Sequence, residues 1–143
     1  MADTMTSHEQ LVRSLFRAIE TGAVGSALRD YYDPTAEQIE HPSMMRPAGG
    51  RRPLADILAA SEFGARMIAD QRYEVLTVVD DGEQLATEFT WTGTLLIDAG
   101  DIPAGTSLVA HIAAFFVFRD GRILTQSSYD CYESVTRSVA ERP

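Results

Sequence analysis

Two long apolar runs flank the dipeptide Asp120-Gly121, and this arrangement constrains the fold more than any other feature of the chain. The first run, Ser107 to Arg119, contains a single histidine, His111, before its final arginine; the second runs from Arg122 to Tyr132. Asp-Gly between such runs predicts a two-residue hairpin, because its central residues tolerate the positive φ angles that the turn demands. In that hairpin Arg119 faces Arg122 and His111 falls opposite Asp130. Opposed side chains share a face, with β-carbons roughly 5 Å apart. Asp130 would then fix the tautomer of His111 and favour its protonated form. A single bulge would break this register and separate the two.

On the face expected to carry this pair lie Val109, Ala113, Phe115 and Val117, with Tyr132, Ser128, Gln126 and Leu124 opposite. An apolar wall with a polar stripe suits a small-molecule pocket. The other face carries Ala110, Ile112, Ala114, Phe116 and Phe118. A sheet apolar on both faces must be covered twice. Helices or ligand would cover one side and a partner subunit the other.

Upstream, Thr6 to Glu9 fits a capping box, with Thr6 as N-cap and Glu9 at N3. Leu11, Val12, Leu15, Phe16 and Ile19 follow at helical spacing, and Thr21-Gly22 ends the helix. A short second helix is expected from about Val24 to Tyr32, stopped by Asp33-Pro34. Thr35 to His41 reads as a short strand, with Ile39 and His41 facing inward by alternation. Residues 43–52 form a loop with two methionines, Met44 and Met45, suited to covering something apolar. Pro53 suits the first position of a third helix ending near Gln71. A second hairpin, Tyr73–Asp80 and Glu83–Asp98 around Asp81-Gly82, precedes the one described above, and the last few residues read as a frayed tail.

Helices followed by antiparallel strands imply one α+β domain spanning residues 1–143, with helices on one face of the sheet. A net charge of −9 argues against nucleic acid and anionic membranes as partners. Cys131 is the only cysteine, so no internal disulfide is expected. The first residues lack the basic and apolar regions of a signal peptide, and no apolar run approaches bilayer length. The expectation is a soluble cytoplasmic protein.

The element order, the segment Thr35-Ala-Glu-Gln-Ile-Glu-His-Pro42, the motif Phe118-Arg-Asp-Gly-Arg-Ile123 and the terminal Tyr129-Asp-Cys-Tyr132 together resemble the nuclear transport factor 2-like superfamily. The likeness is to its SnoaL-like polyketide cyclase and ketosteroid isomerase-like branch, and it covers nearly the whole chain. The resemblance implies a cone-shaped α+β barrel of three N-terminal helices packed on a strongly curved, mostly antiparallel sheet. It also implies a deep pocket and a homodimer formed through the outer sheet face. The family spans isomerases, cyclases, dehydratases, epoxide hydrolases and binding proteins, so function must come from the site. Where steroid isomerases carry an acidic base before the proline that ends the first strand, this chain has His41; where they carry a first-helix tyrosine, it offers Phe16.

The expected catalytic residues are therefore His41 as proton carrier, and His111 held by Asp130 as donor to a developing enolate. Tyr31, Tyr32, Trp91, Phe115, Gln126, Ser128, Tyr129 and Tyr132 are the expected ligand-binding residues. His8, His41 and His111 show no metal-ligand spacing, so neither a metal nor another cofactor is expected. His8, in the first helical turn, is expected to be exposed. The resulting expectation is a small cofactor-free acid/base enzyme, of isomerase, cyclase or dehydratase type, acting on an apolar carbonyl-bearing molecule. The alternative is a non-catalytic dimeric small-molecule-binding protein. The two separate on whether His41, His111 and Asp130 point into one cavity.

Overall fold

The Asp120-Gly121 turn forms as its residues require, with φ of 51° and 76°, and Arg119 pairs with Arg122. A computed structural model describes residues 7–135; Thr6 and the expected frayed tail at 136–143 lie outside them. Among the described residues the chain forms two α-helices, one 3-10 helix and six strands. The strands are β1 (Tyr32–Glu40), β2 (Gly50–Pro53), β3 (Ile68–Asp80), β4 (Gln84–Leu95), β5 (Ser107–Arg119) and β6 (Arg122–Tyr132). They form one sheet in the order β2-β1-β6-β5-β4-β3. Only the β1–β6 pairing is parallel. The sheet ends in two edge strands and is open rather than a closed cone.

Helix α1 (His8–Glu20) starts one residue later than the expected cap. Ser7 is the N-cap, and its hydroxyl accepts from the Gln10 amide at 3.1 Å, while Gln10 Oε1 accepts from the Ser7 amide at 3.0 Å. Both partners are of the capping-box type, so the box shifts without changing its chemistry. The second helix is a 3-10 turn, Gly25–Tyr31. Helix α2 (Leu54–Met67) has Pro53 as its N-cap rather than its first residue, and ends before Gln71 because β3 already begins at Ile68. The supposed loop at 43–52 contributes an edge strand, β2, at Gly50–Pro53.

Val12, Leu15 and Phe16 of α1, and Leu54, Ile57 and Leu58 of α2, pack with Leu85, Phe89, Ala110, Ile112, Ala114 and Phe116 of the sheet. Helices thus cover the face bearing even-numbered β5 residues. Among the described residues, the face bearing Val109, His111, Ala113, Phe115 and Val117 is the uncovered one, which reverses the expected pocket wall. At the hairpin end, Arg119 donates to both Asp33 oxygens at 3.1 Å, and Asp33 Oδ1 also accepts from the Thr35 amide and hydroxyl. This ties the start of β1 to the β5–β6 turn. His8, expected to be exposed, instead stacks on Phe118 with ring centroids 3.9 Å apart and reaches Asp80 at 3.3 Å.

One bulge decides the site. Val117 pairs with Thr125 but Phe118 pairs with Ile123, leaving Leu124 as the extra residue. Beyond it every pairing moves by one: His111 faces Cys131, and Asp130 faces Ile112. Because side chains alternate, this one-residue shift places His111 and Asp130 on opposite faces. The expected His111–Asp130 pair does not form. His111 instead reaches Glu133, at 2.7 Å, on the exposed side.

Candidate functional site

A cavity of about 290 Å³ lies between the helices and the sheet, lined by residues of α1, the 3-10 helix, α2, β1, β2, β3 and β6. Its polar wall is formed by Tyr32, Gln38 and Glu40 of β1, Arg52 of β2, Gln71 and Tyr73 of β3, and Gln126 of β6. Alternation along β1 sets this. Ala36 is buried and lies past the irregularity at the start of the strand, so Gln38 and Glu40 share its inner face. Arg52 pairs across with Gln38 and donates to both Gln38 Oε1, at 2.8 Å, and Glu40. Its neighbour Arg51 turns outward to Glu37 at 2.7 Å.

Strand β6 leads from this cleft to a larger, open hollow of about 1400 Å³, lined by Met44, Met45, Met67, residues 99–107 and Glu133 to Val135. Gln126 lines the cleft and Glu133 the hollow. Between them, on the helix-covered face, stand Ser128, Asp130 and Tyr132, paired with Ala114, Ile112 and Ala110. Asp130 Oδ1 is buried and has no hydrogen-bond partner among the described residues. Burial pushes the Asp130 carboxyl above the ordinary range, and the Glu40 carboxylate pushes the same way, while the Ser128 hydroxyl opposes them. Burial likewise raises the phenols of Tyr32, Tyr73 and Tyr132, which stay protonated across the physiological range. Trp91, also on this face, packs edge-on against Tyr132 with centroids 6.3 Å apart and donates to Gln71 Oε1 at 3.1 Å.

The expected site residues therefore divide. Tyr32 and Gln126 line the cleft, and Trp91, Ser128, Asp130 and Tyr132 share its face. His41, Phe115 and Tyr129 lie on the opposite face. His41 stacks on Tyr129 at 3.9 Å and bonds the Ser127 hydroxyl at 3.1 Å, and Phe115 meets Tyr129 edge-on. Ile39 is on the His41 side, so reading Ile39 as inward-facing turned β1 over. Tyr31 lies outside the cleft and bonds Ser14 at 2.8 Å. The condition that both histidines and Asp130 meet in one cavity is not satisfied, so the expected three-residue acid/base site does not form and the histidine-based enzyme reading fails; of the three only Asp130 faces inward. Glu40, Arg52, Gln38, Gln71 and Tyr73 were missed. A strand register taken from Ala36, rather than from the larger Ile39, would have found Gln38 and Glu40; Arg52 lies on β2, in the segment read as a loop.

Among the described residues no three His, Cys, Asp or Glu side chains gather as a metal site would require. No helix among them is long and apolar enough to cross a membrane.

Fold and site together define an α+β protein with a ligand-sized cleft, polar on one wall, between its helices and a mostly antiparallel open sheet. Residues 12–126 match the SnoaL-like domain, and the chain belongs to that family. Among solved structures, IdmH of Streptomyces antibioticus, a candidate polyketide cyclase, matches with a TM-score of 0.70 at 24% identity, over 85% of this chain and 90% of its own. A candidate polyketide cyclase of Pseudomonas putida matches at 0.69 and 24%, over 87% and 91%. A Catenulispora acidiphila protein of ketosteroid isomerase-like fold, solved with trimethylamine, matches at 0.71 and 18%, over 91% of each chain. At these identities the likenesses establish the fold. No match was found among curated proteins.

Proposed function

We propose that the protein is a small acid/base enzyme, of isomerase, cyclase or dehydratase type, acting on an apolar carbonyl-bearing molecule, with Asp130 rather than a histidine as proton carrier. The observation that carries this reading is the buried, unpartnered Asp130 Oδ1 on the cleft face beside protonated phenols. A carboxyl in such a place both gives and takes a proton at a pH nearer neutrality than an ordinary aspartate. Asp130 removes a proton from the carbon next to the substrate carbonyl. The Tyr132 phenol donates to the oxygen as negative charge develops there. Asp130 then returns the proton at a different atom, which completes an isomerisation or sets up ring closure or loss of water. Membership of the SnoaL-like family and the likeness to candidate cyclases support this class of chemistry.

The test uses 2,2-dimethylcyclohexane-1,3-dione, whose C4 and C6 protons exchange into D2O through an enolate. The protein should accelerate exchange, and Asp130→Asn should lower the enzymatic rate by about 10²–10⁴-fold. Identical rates in the two proteins would remove Asp130 from the mechanism. Absence of any acceleration, together with a co-purified ligand identified by mass spectrometry, would favour the non-catalytic binding protein.

The partner proposal is a homodimer through the uncovered sheet face. Val109, Ala113, Phe115, Val117 and Tyr129 lie there with no helix of the described residues over them, and Tyr129 is 48% exposed. A second copy would bury these side chains.

A further inference from the structure

Three glutamines from three separate strands line the cleft: Gln38 on β1, Gln71 on β3 and Gln126 on β6. Each has its carbonyl oxygen already engaged. Gln38 Oε1 accepts from Arg52 at 2.8 Å, Gln71 Oε1 from the Trp91 indole at 3.1 Å, and Gln126 Oε1 from the Tyr32 phenol at 3.0 Å. A guanidinium and an indole N–H can only donate, which fixes the orientation of the first two amides. The buried Tyr32 phenol holds its proton and directs it at the third. All three amides therefore keep their NH2 groups free, and none is buried without a partner among the described residues.

The other polar groups of the cleft offer few free acceptors. Glu40 gives one oxygen, Oε1, to Arg52, which leaves Oε2 as the acceptor beside Gln38. The Ser61 hydroxyl donates to the Leu58 carbonyl at 2.6 Å and accepts from the Gly25 amide at 2.8 Å. The backbone supports this arrangement at Gln71. It lies in the β3 bulge between Ala69 and Arg72, beside Asp70, whose φ of 56° is unusual for a residue other than glycine. Bulges re-aim side chains, and this one brings the Gln71 amide to Trp91.

We propose that Gln38, Gln71 and Gln126 form a cage of hydrogen-bond donors that selects ligands presenting two or more acceptor oxygens, carbonyl or enolate. A hydroxyl in the same place can also accept, but its own proton must then compete for Glu40 Oε2 or for amide oxygens that already accept a hydrogen bond. An unpaired buried polar group is what makes such sites discriminate strongly. The inference names the ligand class of the proposed site. It rests on the cleft being that site, not on proton transfer by Asp130.

The experiment compares 2,2-dimethylcyclohexane-1,3-dione with the corresponding 1,3-diol by protein-observed NMR titration. The wild-type protein should bind the dione at least about tenfold more tightly than the diol. Gln71→Glu and Gln126→Glu keep an oxygen for Trp91 and Tyr32 and replace only the NH2 that faces the ligand. Each should lower dione affinity about tenfold while circular dichroism stays native. The wild-type comparison needs no variant and stands even where a variant does not fold. Equal affinities for dione and diol, no dione binding, or full dione affinity in both folded variants would each overturn the proposal. Asp130→Asn separates the two readings. If it abolishes exchange while glutamine-dependent dione binding persists, both stand; if binding depends on the glutamines but exchange ignores Asp130, only the catalytic reading fails.

Discussion

Gly93 sits near the end of β4, opposite the β3 bulge, where a glycine within a strand weakens it by roughly 0.5–1 kcal/mol relative to alanine. The surroundings explain its presence. A Cβ at Gly93 would lie 2.5 Å from Ile68 Cγ2 and 2.9–3.0 Å from the Trp91 ring. Gly93→Ala must therefore displace one or both. Overpacking of this kind costs about 1–3 kcal/mol, and the gain in strand propensity offsets part of it, so the net loss is about 1–2 kcal/mol. For a chain of 143 residues this lowers Tm by roughly 3–8 °C. Trp91 is the only tryptophan, so its fluorescence reports the displacement directly, together with loss of the indole–Gln71 hydrogen bond. Urea denaturation of Gly93→Ala, Ile68→Ala and the double variant closes a cycle. The account predicts a favourable coupling of at least about 0.5 kcal/mol, because Ile68→Ala removes the atom in the way. A Gly93→Ala protein with unchanged stability and unchanged Trp91 emission would refute the packing argument.

Three further outcomes follow from the same geometry. The Arg119 guanidinium and the Thr35 donors hold the Asp33 carboxyl well below the usual carboxylate range, so its stabilisation is complete above the unfolded value near 3.8 and fades as pH falls through the native one. Asp33→Asn should thus be less stable than wild type at pH 7, with the gap closing in acid; a gap independent of pH in chemical denaturation contradicts this. Asp130 is shifted the opposite way, so wild-type stability should fall as pH rises above the unfolded value, and Asp130→Asn should gain on wild type between pH 4 and 7; a constant difference in Tm counts against the shift. Phe115→Arg on the uncovered face should convert a dimer to a monomer in sedimentation velocity without loss of the native circular dichroism spectrum, and a wild-type monomer would end the dimer proposal.

The hairpin was legible because it rests on local chemistry: Asp-Gly fixes a turn, and the two apolar runs fix strands of the observed lengths. The α+β order followed from the same kind of pattern. What failed was the assignment of faces. Both faces of β5 are apolar, so hydrophobicity does not say which one meets the helices. Ile39, the largest apolar residue near the end of β1, lies on the uncovered side, while small Ala36 marks the buried one. The Leu124 bulge has no signature in composition, yet it alone separates His111 from Asp130. Asp130, Tyr132, Gln126 and Tyr32 survive as site residues because they lie on the helix-covered face. Arg52 was missed because residues 43–52 read as a loop, although in β2 alternation turns it inward and its neighbour outward.

The central claim is that Asp130 moves the proton and the histidines do not. Deuterium exchange at C4 and C6 of 2,2-dimethylcyclohexane-1,3-dione, followed by NMR across pH 4–9, tests it in wild type, Asp130→Asn and His41→Ala. The account predicts a rate that rises with pH as the Asp130 carboxyl ionises, above the ordinary aspartate range. It predicts loss of that rate in Asp130→Asn and an unchanged profile in His41→Ala, whose ring stacks on Tyr129 on the far side of the sheet. A rate that survives Asp130→Asn and disappears with His41 would contradict it.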